Sequence, residues 1–181
     1  MVNAIDFRKA RLIFMNIILI GYMGCGKTTV GKNLAKMLEY EFIDTDEAIE
    51  RQQGRTISNI FAQDGEKTFR NMETEYLKEL IKEKADRLVL STGGGMSIRE
   101  ENQELLKQLG LVVYLRAKPQ TVYERVKGDT KRPLLQCDDP LTKIKNMLEE
   151  RGPVYKSTAH HIIDVDELRQ QEIAEKIMDW M

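Results

Sequence analysis

Short apolar runs alternate along the chain with longer stretches that repeat at the spacing of an amphipathic helix. The apolar runs predict five strands, at 16–20, 41–43, 88–90, 111–115 and 161–165. The stretches between and after them predict eight helices, at 27–38, 46–53, 58–62, 66–84, 100–109, 119–126, 140–151 and 167–181. This alternation is typical of an α/β domain with a mostly parallel sheet.

The first predicted strand runs directly into the segment GYMGCGKTT, at 21–29, and a predicted helix follows at once. From Gly21 to Thr28 the spacing is G-x-x-x-x-G-K-[ST], in which backbone N–H groups surround a β-phosphate at a helix N-terminus. Lys27 reaches the β- and γ-phosphates, and the Thr28 hydroxyl is placed to bind Mg²⁺. The segment therefore predicts a nucleoside triphosphate site without identifying the reaction.

Polar and flexible residues follow the next two predicted strands, where ligands of α/β sheets bind. Asp44 and Asp46 come after the second strand, and three glycines at 93–95 come after the third. The two carboxylates suit a water-bridged metal ion and an acceptor hydroxyl, although a helix cap at Asp46 with a loop acid at Asp44 explains them as well. The glycines either let the backbone approach a ligand closely or form a flexible turn.

Two arginines lie near predicted helix ends, Arg70 one turn into the helix at 66–84 and Arg151 at the end of the helix at 140–151. Each alone is an ordinary surface residue. Together with the aspartates they supply what a small acidic polyol requires, which is guanidinium groups for its carboxylate and acceptors for its hydroxyls. This combination favours a kinase with a small-molecule acceptor.

In order and spacing, these segments resemble the shikimate kinases from residue 16 almost to the end of the chain. The motifs that carry the resemblance are Gly24-x-Gly26-Lys27-Thr28, Asp44-x-Asp46, Phe61-x-x-x-Gly65-Glu66-x-x-Phe69-Arg70, Gly93-Gly94-Gly95, Arg132-Pro133-Leu134-Leu135, and Arg151 with Tyr155. The set is far more specific than the glycine loop alone. The resemblance implies a P-loop kinase core, a three-layer α/β/α fold with a five-stranded parallel sheet of order 2-3-1-4-5.

The same resemblance implies a domain organisation and an activity. Residues 1–181 would form a single domain, with an N-terminal extension at 1–15, a shikimate-binding helical region at 44–84 and a mobile lid at 127–139. The implied reaction transfers the γ-phosphoryl group of ATP to the 3-hydroxyl of shikimate, giving shikimate 3-phosphate and ADP in chorismate and aromatic amino-acid biosynthesis. Mg²⁺ is the implied cofactor.

Residue roles also follow from the resemblance. The implied catalytic residues are Lys27, Asp46 and Arg132. The implied ATP contacts are Gly24, Cys25, Gly26, Lys27, Thr28, Thr29, Arg125 and Arg132. The implied shikimate contacts are Asp46, Arg70, Gly93, Gly94, Gly95 and Arg151.

Some of these roles are specific. Asp46 would orient or deprotonate the attacking hydroxyl, and Arg132 would close from the lid onto the transferring phosphate. Arg125 would stack on adenine, and Glu73 would hold the geometry of Arg70. Thr28 and Asp44 would serve Mg²⁺, Asp44 through water. After the last predicted strand the chain departs from the family pattern at 164–167, so no adenine contact is predicted there.

The amino-acid composition limits the classes of partner that the protein can bind. Lys plus Arg number 28 and Asp plus Glu 29, a balance that argues against a broad nucleic-acid surface. The two cysteines, Cys25 and Cys137, lack the spacing of a metal site and indicate a reducing, cytoplasmic setting. The longest apolar run, at 12–20, is too short to span a bilayer. We therefore expect a cytoplasmic monomer that binds neither nucleic acid nor membrane.

Two alternatives remain at this point. One is a kinase of the same core that acts on gluconate or a nucleoside monophosphate. The other is a non-catalytic nucleotide-binding regulatory module, which would have no acceptor pocket. The paired aspartates and two arginines suit one carboxylate and neighbouring hydroxyls better than a second phosphate.

Overall fold

The computed structural model of the chain describes residues 15–128 and 138–181. Within them lies one parallel sheet with the order β2-β3-β1-β4-β5, which confirms the predicted fold. The strands are β1 (Asn16–Ile20), β2 (Glu41–Asp44), β3 (Leu88–Ser91), β4 (Gly110–Arg116) and β5 (His161–Asp164). Nearly all of the predicted extension at 1–15, and most of the predicted lid at 127–139 including Arg132, lie outside the described residues.

The helices of the described residues fall between and after the strands. They are α1 (Lys27–Leu38), α2 (Thr45–Gln53), α3 (Ile57–Asp64), α4 (Glu66–Lys82), α5 (Glu100–Leu109), α6 (Pro119–Val126), α7 (Pro140–Thr158) and α8 (Gln170–Met178), with a 3₁₀ turn at Met96–Ile98. None of these described helices combines the length and apolar character needed to cross a bilayer.

The direction of each connection decides which face of the sheet a helix covers. The chain moves one way from β1 to β2, through α1, and the opposite way from β3 across β1 to β4, through α5. Because parallel crossovers are right-handed, opposite directions place α1 and α5 on opposite faces. The loops that follow the neighbouring strands β1 and β3 therefore diverge, and they leave a crevice at the carboxyl edge of the sheet where ligands of such folds bind.

The predicted end of one helix is wrong. We expected the helix that begins at residue 140 to stop at 151, before Gly152 and Pro153, but α7 continues to Thr158. Proline removes one intrahelical hydrogen bond, and here the burial of Tyr155 and Thr158 in the last turns offsets that loss. α8 also begins later than predicted, at Gln170, where the Glu172 carboxylate accepts a hydrogen bond of 2.7 Å from the Arg169 N–H.

A buried asparagine ties the amino ends of three strands together. Asn16 begins β1, is 6% exposed, and its Nδ2 donates to the carbonyl oxygens of Ala85 at 2.7 Å and Leu109 at 3.0 Å. Its Oδ1 accepts from the Leu88 N–H at 3.0 Å. One side chain thus satisfies the backbone beside both neighbours of the central strand.

Replacing Asn16 by alanine should lower the free energy of unfolding by about 2–4 kcal/mol, because it leaves buried backbone groups without partners. Urea denaturation measures the change. Asn146→Ala, at an exposed position of α7, is the matched control and should shift the midpoint little. If Asn16→Ala lowered the free energy of unfolding no more than the control does, this account would be contradicted.

Candidate active site

The lysine of the glycine loop donates hydrogen bonds to the backbone of the same loop. Gly24 and Gly26 adopt left-handed backbone conformations, with φ of 75° and 103°, which favour glycine. Lys27 is buried, and its Nζ donates to the carbonyl oxygens of Gly21 at 2.8 Å and Tyr22 at 3.0 Å. The lysine charge is thus fixed at the start of α1, where an anion is favoured.

A cavity of about 660 Å³ lies over the loop, at the carboxyl edge of the sheet. It brings together predicted residues from four separate parts of the chain, namely Gly24, Gly26, Lys27, Thr28, Thr29, Asp44, Asp46, Gly93, Gly94 and Arg125. The predicted residues Cys25, Arg70, Glu73, Gly95 and Arg151 do not line this cavity. Phosphate-binding and acceptor-binding candidates therefore share one space.

Asp44 connects the loop to the sheet. Its Oδ2 accepts hydrogen bonds from the hydroxyls of Thr28 at 3.1 Å and Ser91 at 3.0 Å. Its Oδ1 accepts from the Asp46 N–H at 3.2 Å, so Asp44 caps α2. The alternative cap at Asp46 is therefore wrong, and the Asp46 carboxylate has no capping role. The Ser91 contribution was not predicted, since a serine at a strand end carries no distinctive signal.

The hydroxyl of Thr28 and the carboxylate of Asp44 are hard oxygen donors of the kind that Mg²⁺ prefers. In the described residues no group of three or more histidine, cysteine, aspartate or glutamate side chains is placed to hold a metal ion. The donor set thus fits an ion held by one or two protein oxygens and the phosphates of a nucleotide, the usual arrangement for Mg²⁺ in kinases.

Asp46 lines the cavity, and one of its two carboxylate oxygens has no hydrogen-bond partner within the described residues. Among the described residues, its buried Oδ1 makes no hydrogen bond, and it packs directly against Gly93, where a Cβ would overlap it. The pKa of Asp46 is raised to about 6, because burial and the charge of Asp44 raise it more than the charges of Lys27 and Arg70 lower it. Asp46 is thus available both to accept a hydrogen bond and to take a proton.

Arg70 is held on three sides. Its Nη1 donates to Glu73 Oε2 at 2.9 Å, and its Nη2 donates to Glu66 Oε1 at 2.7 Å. A Cβ on Gly95 would lie 2.5 Å from Nη1, so the glycine lets the guanidinium lie flat against the turn after β3. Glu73 is fully buried, and its burial raises its pKa to about 7, although the charge of Arg70 opposes the rise.

A buried polar network that the sequence did not predict supports this helix. Arg99 Nη1 donates to the Arg70 carbonyl at 3.1 Å and to the Thr74 hydroxyl at 2.9 Å. The Thr74 hydroxyl lies 2.7 Å from Asn102 Oδ1, and Asn102 Nδ2 donates to the Met96 carbonyl at 2.9 Å. These bonds join α4 to the 3₁₀ turn and α5. No local motif marks Arg99 or Asn102, because their role depends on contacts between distant segments.

Comparisons with known proteins show which family the sequence of this chain belongs to. The family model described as shikimate kinase matches residues 23–181. The chain is 46% identical over 163 residues to a shikimate kinase of Thermodesulfovibrio yellowstonii, covering 90% of this chain and 92% of the relative. The chain belongs to the shikimate kinase family. It is therefore an ATP-dependent phosphotransferase.

Solved structures of shikimate kinases share the whole fold. One is the structure of the Acinetobacter baumannii shikimate kinase in complex with shikimate. Its sequence is 43% identical to this chain, the TM-score between the two structures is 0.87, and the match covers 95% of each chain. The Bacteroides thetaiotaomicron shikimate kinase is 32% identical, with a TM-score of 0.84, and covers 92% of this chain and 98% of that one.

The nucleotide side of this shikimate kinase fold contains the predicted residue Arg125 and one residue, Gln170, that was not predicted. Arg125 Nη1 donates to the carbonyl oxygens of Gly24 and Cys25, at 3.2 Å each, so its guanidinium spans the rim of the glycine loop. Gln170, the first residue of α8, lines the same cavity. Cys25 is buried behind the loop, with its Sγ 3.7 Å from Lys27 Nζ.

A second cavity, of about 840 Å³, lies beside β5 and does not contain the residues of the shikimate kinase motifs. Two of the carboxylates in its lining already accept hydrogen bonds from neighbouring groups. Arg116 Nη2 donates to Asp164 Oδ2 at 2.7 Å, and the Lys118 N–H donates to Asp166 Oδ1 at 3.0 Å. We therefore place the active site in the smaller cavity, where charged and polar groups remain available to a ligand.

Proposed function

We propose that the chain transfers the γ-phosphoryl group of ATP to the 3-hydroxyl of shikimate, with the site residues in the roles that follow. The observation that carries the proposal is the position of Asp46. Asp46 lines the same cavity as Lys27 and Thr28 of the glycine loop, and its buried Oδ1 makes no hydrogen bond within the described residues. A carboxylate there can accept the proton of an acceptor hydroxyl beside the γ-phosphate.

Phosphoryl transfer requires positioning and charge neutralisation more than covalent chemistry from the protein. In our proposal Lys27 neutralises the β- and γ-oxygens, while Arg70 and Arg151 bind the carboxylate of shikimate. Asp46 then orients the hydroxyl toward the γ-phosphorus and takes its proton. The raised pKa of Asp46 suits this role, because a general base acts best when its pKa lies near the working pH.

We propose Mg²⁺ as the metal ion, held by the Thr28 hydroxyl directly and by Asp44 through water. Support comes from the 3.1 Å between Thr28 Oγ1 and Asp44 Oδ2. When bound, the ion would neutralise charge on the phosphate oxygens. Ser91, which also donates to Asp44 Oδ2, would keep that carboxylate turned toward the glycine loop.

A coupled assay of ADP release tests the proposed acceptor. With ATP and Mg²⁺ we expect rapid turnover with shikimate, and no turnover above background with gluconate or nucleoside monophosphates. Slow, acceptor-independent ADP release would instead indicate a regulatory module, and faster turnover with another acceptor would overturn the proposal. The position of the new phosphate is checked by ³¹P and ¹H NMR of the product.

The proposed base also predicts a pH dependence. In the free enzyme, Asp46 is protonated below about pH 6, so kcat/KM for shikimate should fall as the pH decreases through about 6 and level off above about 7. The charged groups that act on its pKa are Asp44, Lys27, Arg70 and Glu50. A pH series under constant ionic strength gives the profile, and a kcat/KM that stays constant between pH 5 and pH 8 would contradict the prediction.

We further propose that the enzyme acts as a cytoplasmic monomer in one domain. The near balance of charge gives no reason for a polyanionic partner. Light scattering after size exclusion tests the monomer. A dimer whose dissociation abolishes turnover would overturn it.

A further inference from the structure

Tyr155 is a large polar side chain that the proposed mechanism does not use. It lies on α7, one helical turn after Arg151, and is completely buried. Its ring packs against Tyr114 of β4, with ring centroids 5.2 Å apart and an interplanar angle of 39°. Residues four apart share a helix face, so Tyr155 and Arg151 lie on the same face of α7. A phenylalanine would make the same ring contact, and the hydroxyl therefore needs its own explanation.

The hydroxyl of Tyr155 bonds to the glycine turn. It donates to the Gly94 carbonyl at 2.5 Å, across 61 positions in sequence. A Cβ at Gly94 would lie 3.5 Å from the Met23 N–H nitrogen and 3.6 Å from the Gly21 carbonyl, so this turn also packs on the phosphate-binding loop. The tyrosine thus holds a turn that lines the cavity and lies next to the phosphate-binding loop.

The same hydroxyl interacts with Arg151. Burial raises the pKa of Tyr155, while the charge of the nearby Arg151 guanidinium acts in the opposite direction. On the other side of the turn, Gly95 lies flat against Arg70. A line of contacts therefore runs from the Tyr155 hydroxyl through the glycine turn to Arg70, and the charge of Arg151 acts on its first member.

We propose that Tyr155 is a positioning residue that sets the distance between Arg151 and Arg70, and so the fit of the shikimate carboxylate. The inference rests on the proposed function, since it assumes that both guanidinium groups bind that carboxylate. Through this line of contacts the hydroxyl also fixes the turn whose backbone faces the acceptor. Tyr155 touches neither substrate in this proposal, and it acts only through its neighbours.

The test is Tyr155→Phe, which removes the hydroxyl and retains the ring. We expect KM for shikimate to rise about tenfold, which corresponds to the loss of one hydrogen bond in a preorganised site, while KM for ATP changes less than about twofold. Tyr76→Phe is the matched control, because Tyr76 is a buried tyrosine of α4 whose charged neighbours, Arg51, Glu41, Glu79 and Glu83, lie outside the cavity. It should leave both KM values unchanged.

A thermal melt of each variant separates positioning from stability. If Tyr155 served only the core, Tyr155→Phe would lower Tm without a selective effect on shikimate, and the proposal would be wrong. A second measurement introduces Tyr155→Phe into Arg151→Ala. Because the hydroxyl acts through Arg151, the added change in KM for shikimate should then be less than about threefold, and full additivity would overturn the link.

The outcomes also separate this inference from the proposed function. If the wild-type protein does not turn over shikimate, the proposed function fails, whatever the variants do. If the wild-type protein turns over shikimate and Tyr155→Phe leaves its KM unchanged, only the positioning role fails.

Discussion

Asp46→Asn should lower kcat for shikimate phosphorylation by about 10²–10⁴-fold, the usual contribution of a positioned general base. Asparagine has nearly the same shape as aspartate, so it still occupies the space against Gly93, but it cannot take the proton of the 3-hydroxyl. KM for ATP should change little, since the glycine loop and Lys27 are untouched. Steady-state kinetics with the coupled assay of ADP release measure both values.

The control for this prediction is Asp86→Asn, which removes an exposed carboxylate from the opposite, amino end of β3. It should retain wild-type kcat. A kcat for Asp46→Asn within about tenfold of the wild-type value would exclude general-base catalysis as a major contribution of Asp46. The pH profile adds an independent check, because the fall in kcat/KM near pH 6 should be absent from the residual activity of Asp46→Asn.

The same substitution should stabilise the protein at neutral pH. The folded state raises the pKa of Asp46 from 3.8 to about 6, so between these values the folded protein binds a proton that the unfolded chain does not. Stability therefore decreases as the pH rises through this window, and above about 6 the ionised carboxylate costs about 3 kcal/mol. Asparagine avoids that cost. Urea denaturation should show Asp46→Asn more stable than wild type at pH 8, with the difference vanishing below about pH 4.

The sheet could be predicted from sequence because each strand is a short aliphatic run between helical stretches. The five strands occur where the apolar pattern places them, and their ends differ by two residues or fewer. The end of α7 could not be predicted in this way. Gly152 and Pro153 locally favour a stop, and only the burial of Tyr155 and Thr158 against distant segments carries the helix onward.

Within the site, residues in contiguous motifs were predictable, and residues that act through the fold were not. The glycine loop shows its chemistry in eight consecutive residues, whereas Ser91, Arg99, Asn102 and Gln170 stand in unremarkable sequence. The cap of α2 illustrates the difference: in sequence, Asp46 is the candidate for the cap and Asp44 for a loop acid. Only the folded structure shows that Asp44 caps the helix and that Asp46 Oδ1 makes no hydrogen bond within the described residues.

Arg132→Ala should lower kcat by about a thousandfold, judged from the effect of arginines that stabilise phosphoryl transfer in other enzymes. Arg132 lies outside the described residues, so the prediction rests on the family motif and on the charges around the cavity. Among the described lining residues the cations are Lys27 and Arg125. Arg125 is bonded to the Gly24 and Cys25 carbonyls at the rim, which leaves Lys27 as the cation of the described residues placed at the β- and γ-phosphates.

The transition state spreads charge over three equatorial oxygens of the transferring group, and one lysine does not neutralise them. If Arg132 supplies the missing charge only in the transition state, its loss should lower kcat far more than it weakens ATP binding. Arg169→Ala, at a surface arginine whose side chain is 85% exposed, is the matched control and should leave kcat unchanged. Kinetics combined with calorimetric titration of ATP distinguish the outcomes: a near wild-type kcat for Arg132→Ala, or equal losses in kcat and ATP affinity, would show that this arginine does not act on the transition state.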